Sequence, residues 1–210
     1  MSESSHDPAN NDAVPDYKST IPKTPDDKAY TSTWAWVRYV VPTVLGLAAD
    51  LWLKAWSFPD GVPATNMMYA GRNPGNKPWE VIPHVLGFTT TVNQGAVFGI
   101  GQGKVEWFLL LSIVALGIIL WVFATSGASQ RVVHIALGLI TAGAIGNLYD
   151  RAVFHGVRDM LRFYVDWYPY IFNIADVLLC IGVPLLIVRW LFVQDSPGSN
   201  AKAAQPTPHQ

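Results

Sequence analysis

Residues 143–176 read GAIGNLYDRAVFHGVRDMLRFYVDWYPYIFNIAD, and the meaning of the whole chain turns on them. Apolar runs lie on either side, yet the stretch carries Asn147, Asp150, Arg151, Asp159, Asn173 and Asp176. Asn147, Asp150 and Arg151 fall at i, i+3 and i+4, so a helix puts them on one face. Asn173 and Asp176 repeat the i, i+3 spacing at the start of the next apolar run. Polar groups at the mouths of membrane helices are costly and by default mark chemistry or transport.

Outward from this stretch the composition is that of a small polytopic membrane protein. Half of the 210 residues are hydrophobic and 14% are charged, and the mean hydropathy of +0.24 is diluted by two polar ends. Lys plus Arg number 14 against 15 Asp plus Glu, so no bulk charge points to nucleic acid. Cys180, the single cysteine, excludes an internal disulfide and a cysteine zinc cage, and reads as a small core hydrophobe. Eight of the nine tryptophans (Trp34, Trp36, Trp52, Trp56, Trp107, Trp121, Trp167, Trp190) flank the apolar runs, as belts at the lipid–water interface require.

Four runs approach the roughly 20 residues that cross a bilayer: 36–56, 106–125, 132–150 and 171–192. The polar segments 1–33 and 194–210 are expected to be disordered tails around a membrane domain over 34–193. No cleaved signal peptide is expected at Met1. Between the first two runs, 57–105 begins turn-rich and ends β-branched and aromatic, which predicts short strands. The link 126–131 is short, so the second and third runs are antiparallel neighbours, and 151–170 reads as an outer loop along the interface. The fold expected is an all-α membrane protein of four transmembrane helices with a small extracytoplasmic β-rich cradle. With both tails on one side, Lys and Arg divide evenly between the two ends, and only the flanks of the first run lean toward a cytoplasmic N-terminus.

Alternating spans bring Asp50, Lys54, Asn93, Asn147, Asp150, Arg151, Asp159, Asn173 and Asp176 to one end of the bundle. At about 1.5 Å per residue Asp176 would lie roughly 8 Å inside the fourth run, and Asp50 about as deep in the first. The five histidines (His6, His84, His134, His155, His209) are scattered, and no HExxH or close histidine pair offers a metal site. Two carboxylates without a metal or a nucleophile–base pair point to an aspartic-protease arrangement. One carboxylate takes a proton from water and the other, protonated, polarises the carbonyl.

Five motifs in order, DLWLK at 50–54, NQGAVFG at 93–99, GNLYDR at 146–151, VRD at 157–159 and FNIAD at 172–176, resemble those of lipoprotein signal peptidase (signal peptidase II). The resemblance covers about residues 36–192. It implies an intramembrane aspartyl endopeptidase with Asp159 and Asp176 as the catalytic pair. Asn147, Arg151 and Asn173 would line the site, and Asn93 and Gly95 would belong to an outer cradle for the peptide. Asp50 and Lys54 match the family's pair on the first helix, and Asp150 its structural carboxylate beside Arg151. The implied substrates are prolipoproteins whose lipobox cysteine carries a diacylglyceryl group, cut on the amino side of that cysteine. Globomycin-type cyclic peptides would inhibit. The resemblance also implies a bacterial inner-membrane location, contact with membrane lipids, a site at the extracytoplasmic face and cytoplasmic termini. No cofactor and no metal are expected, and a monomer suffices because one chain supplies both acids. The segment 59–79 is longer than the family's usual outer loop.

Other readings of the same residues remain at this stage. Asp50 with Lys54 reads equally as an i, i+4 ion pair that stabilises a helix mouth, and Gly143 and Gly146 read as helix-packing positions. Paired carboxylates in a membrane also suit a proton- or ion-coupled carrier, although the polar groups crowd one end and no repeat is seen.

Overall fold

The structure is a computed structural model that describes residues 28–59, 79–95, 104–165, 167 and 170–192. Most of the expected tail 1–33, all of the expected tail 194–210, most of the 59–79 insertion and the AVFG part of the NQGAVFG motif lie outside the described residues. Among the described residues four helices, α1 (Thr33–Ser57), α2 (Val105–Thr125), α3 (Arg131–Phe154) and α4 (Ile174–Phe192), are each long and apolar enough to cross a membrane. The same residues hold four short strands, β1 (Trp79–Ile82), β2 (Leu86–Asn93), β3 (Val157–Phe163) and β4 (Ile171–Phe172), which form one antiparallel sheet in the order β1-β2-β3-β4.

The third helix is the centre of the bundle. Over its most apolar window 56% is buried, against 17%, 11% and 11% for α1, α2 and α4. Its small residues explain why. A Cβ at Gly138 would stand 2.8 Å from Pro42 Cγ of α1, and one at Gly143 would stand 2.5 Å from the Ala175 carbonyl of α4. Backbones that close require glycine, and small-residue stripes are how membrane helices approach without a hydrophobic driving force. The side chains fix the register too. Thr43 donates to the Gly138 carbonyl at 3.1 Å, and Tyr39 and Thr141 share a hydrogen bond of 2.9 Å.

The end of the bundle away from the sheet is closed by Tyr39 stacked on Phe123, with ring centroids 4.5 Å apart, over Leu137 and Ile140. Trp34, Trp121 and Trp190 are exposed at this end, while Trp52, Trp107 and Trp167 are exposed at the other. Two aromatic belts follow, as the sequence leads one to expect.

Several expectations need correction. Residues 28–33 are not a tail: Lys28 bridges Gly127, and buried Ala29 donates to the Ser126 carbonyl at 2.9 Å. The third helix runs past Asp150 to Phe154, so Arg151 is helical rather than part of a loop. It stops at His155, which takes φ 56°, the left-handed cap conformation. The loop expected over 151–170 contains β3, which pairs with β2 through Thr91↔Asp159 and Val92↔Arg158. The fourth helix begins at Ile174, so Asp176 is its third residue, about 3 Å in rather than 8 Å. Cys180 is exposed on the outside of α4, not packed in a core.

Gly143 and Gly117 separate packing from helix propensity. Gly143→Ala should lower the stability of the purified protein by about 1–3 kcal/mol, because overpacking forces α3 and α4 apart. Gly117→Ala, where a new Cβ meets nothing within 4 Å, should be neutral or stabilising. Thermal unfolding in detergent distinguishes the two.

Candidate active site

The polar residues singled out in the sequence do converge, at the end of the bundle beneath the sheet. Asn173 is central. It sits just before α4 and caps it reciprocally: Asp176 N–H donates to Asn173 Oδ1 at 2.9 Å, and Asn173 N–H donates to Asp176 Oδ2 at 3.3 Å. This is a capping box with Asn and Asp in the two roles. The Asn173 amide then donates to Asp159 Oδ1 at 2.6 Å and to Asn147 Oδ1 at 3.2 Å. Asn147 closes the ring by donating to Asp176 Oδ1 at 2.9 Å. Two asparagines thus tie the two aspartates together.

Asp159 arrives from the sheet. An extra β2 residue between Phe88 and Thr91 shifts the β2–β3 register between Asp159 and Leu161, and bulges of this kind re-aim side chains. Asp159 is 2% exposed, and Met160 beside it is fully buried. Burial pushes the Asp159 carboxyl well above the ordinary carboxylate range, and the nearby Asp176 charge raises it further. Hydrogen bonds from Asn173 and Asn93 act in the opposite direction.

Beneath the aspartates lies a buried ionic cluster. Lys54, with no exposed surface, pairs with Asp50 at 2.8 Å and with Asp150 at 3.1 Å. It also donates to the Gly146 carbonyl at 3.3 Å and to Asn147 Oδ1 at 3.2 Å. Asp50 Oδ1 accepts from the Ala175 N–H of α4 at 2.9 Å. Gly146 is required here, since any Cβ would collide with Asp50 Oδ2. The Asp50–Lys54 pair pins α1, α3 and α4 together, and it brings a cation to Asn147.

Asp150 does not pair with its chain neighbour Arg151. Adjacent residues on a helix diverge by about 100°, so Arg151 points elsewhere. Arg151 donates to the Gly95 carbonyl at 3.2 Å, and its guanidinium lies 5.4 Å from the Phe108 ring centroid. Asp150 instead binds Arg158 of β3: Oδ1 accepts from Nη2 at 2.8 Å and Nε at 3.2 Å, and Oδ2 accepts from the backbone N–H at 2.9 Å. Arg158 was missed in the sequence. The signal available was an arginine beside an aspartate destined for burial, which needs a counter-charge. Asn93 and Gly95, at the end of β2, are joined by a hydrogen bond of 2.9 Å from the Gly95 N–H to Asn93 Oδ1.

This geometry coincides with a family match. The family described as Signal peptidase (SPase) II matches residues 43–192. The chain belongs to that family. A relative named "Lipoprotein signal peptidase", from Latilactobacillus sakei subsp. sakei (strain 23K), is 34% identical over 153 residues, covering 73% of this chain and 93% of the relative. Two solved structures of a bacterial membrane enzyme, obtained by the in meso method at 2.3 Å and 1.9 Å, are each 31% identical. They superpose with TM-scores of 0.60 and 0.59 and cover 73% and 74% of this chain, and 87% and 94% of their own. As a member of the signal peptidase II family the chain is a peptidase, and with four spans it is a multi-pass inner-membrane protein. Among the described residues no group of three His, Cys, Asp or Glu is arranged to hold a metal ion.

The cluster makes Lys54 the residue whose loss strands the most charge. Lys54→Met should destabilise the protein by about 3–5 kcal/mol, and adding Asp50→Asn should recover part of that loss. Melting curves of the single and double variants check both statements.

Proposed function

We propose that this signal peptidase II family member is an aspartyl endopeptidase that removes signal peptides from diacylglyceryl-modified prolipoproteins. It cuts on the amino side of the lipidated cysteine. The observation that carries the reading is the hydrogen-bonded ring through Asn173 and Asn147, which joins Asp159 to Asp176. Family membership supports the substrate class, and the name of the L. sakei relative agrees with it.

In the proposed reaction Asp159 carries the pair's proton, as its deep burial favours, and Asp176 is ionised. Asp176 takes a proton from a water held between the two, and the water oxygen attacks the scissile carbonyl. Asp159 donates its proton to the carbonyl oxygen as the tetrahedral diol forms. Asp176 then passes its proton to the leaving nitrogen while Asp159 recovers one from the diol. The C–N bond breaks, leaving a new carboxyl end on the signal peptide and a free amine on the lipidated cysteine.

Asn93 and Gly95, with Arg151 on the Gly95 carbonyl, form the edge of the cradle against which the peptide lies. The site faces the extracytoplasmic side, where a lipid-anchored cysteine meets acids just below the headgroups, and both termini are cytoplasmic. The chain acts as a monomer, and globomycin-type cyclic peptides occupy the same site. Nothing in the family match favours a carrier.

Asp159→Asn and Asp176→Asn should each abolish cleavage of a diacylglyceryl prolipoprotein in detergent–lipid micelles, while the proteins still fold. Near-normal turnover by either variant would falsify the roles assigned. Asn93→Ala should slow cleavage by roughly tenfold without ending it.

The pH profile follows from the sign of the Asp159 shift. A raised carboxyl keeps its proton to higher pH than an ordinary aspartate, so the alkaline limb of activity should lie above the usual carboxylate range, where Asp159 ionises. A rate that rises steadily into alkali would contradict the assignment.

A further inference from the structure

The charges around the aspartate pair form a closed set. The first helix contributes Asp50 and Lys54, α3 contributes Asp150 and Arg151, β3 contributes Arg158 and Asp159, and α4 contributes Asp176. Asn93, Asn147 and Asn173 add neutral amides. Among the described residues four carboxylates therefore meet three cations, and one proton closes the balance. An uncompensated charge in such a buried site is strongly unfavourable.

The three cations are not equivalent. Lys54 is shared between two carboxylates already. Arg151 is half-buried, donates to the Gly95 carbonyl beside Phe108, and acts directly on Asp176 and Asp159 from the rim of the site. Arg158 is 5% exposed, grips Asp150 with Nε, Nη2 and its own backbone N–H, and stacks 4.3 Å from the Phe154 ring centroid. Without it a single ammonium would face Asp50 and Asp150 together. It also directly precedes Asp159 in the chain, so the same clamp fixes where that carboxylate sits.

We infer that Arg158 is a positioning residue that sets the charge of the site: through Asp150 it supplies the positive charge that leaves the aspartate pair with one proton. This rests on the roles proposed above for Asp159 and Asp176. Removing the Arg158 charge leaves the site one unit more negative, so the pair takes up a second proton at a higher pH and loses its base. Removing the Asp150 charge has the opposite sign. Removing both restores the balance.

The test is the rate of prolipoprotein cleavage against pH for the full chain in detergent–lipid micelles, for wild type, R158M, R158K, D150N and D150N/R158M. The acid limb of R158M should move to higher pH by on the order of one unit, the size of effect one charge has in a medium of intermediate dielectric. D150N should move it to lower pH, D150N/R158M should bring it back toward wild type, and R158K should hold it there. Reduced rates with unmoved limbs in R158M and D150N would make Arg158 a clamp only and overturn the inference. Should R158M fail to fold, D150N decides alone, a limb that stays or moves upward being the overturning result. Active Asp159→Asn or Asp176→Asn enzymes would overturn the underlying reading instead. Inactive ones with unmoved limbs in the other variants would overturn this inference only.

Discussion

One asparagine side chain makes the site possible. Asn173 caps α4 with its carbonyl, receives Asp176 in return, and spends its amide on Asp159 and Asn147. A cap is ordinary helix chemistry, needed because the first turn of any helix leaves N–H groups unpaired. Here the same cap turns Asp176 back toward the sheet and presents it to a carboxylate on another element. Geometry that a loop could not hold is locked by the start of a membrane helix.

That arrangement survives burial because of what lies under it. Two like charges close together resist ionising, and a membrane end offers little water to soften them. Lys54, held between Asp50 and Asp150, reaches Asn147 and so places a positive charge on the asparagine ring. Gly146 gives Asp50 the room to do this, and Asp50 in turn accepts the Ala175 N–H of α4. The bundle's packing and the site's electrostatics are thus a single construction, and a substitution aimed at one is felt by the other.

Much of this was legible in the sequence. Span lengths and tryptophan belts point to four helices, and alternation of the spans alone gathers the polar residues at one end. The β2 segment was recognised from its β-branched and aromatic run. The third strand was not, because VRDMLRF is buried on both faces through Asp159 and Met160 and lacks a two-residue alternation. Asn173 looked helical because i, i+3 spacing fits a cap as well as a helix face. The Asp150–Arg158 pair has no spacing signal in the sequence, because it is a bend at His155 and Gly156 that folds Arg158 back onto the helix.

The account stands on Asp159 and Asp176 acting on one oxygen. The most direct measurement is a crystal structure with a lipobox peptide in which the scissile carbonyl is replaced by a hydroxyl-bearing tetrahedral carbon. The hydroxyl should lie within hydrogen-bonding reach of both carboxylates, about 2.6–3.2 Å from each. A bound hydroxyl touching one carboxylate alone, with the other turned away, would contradict it.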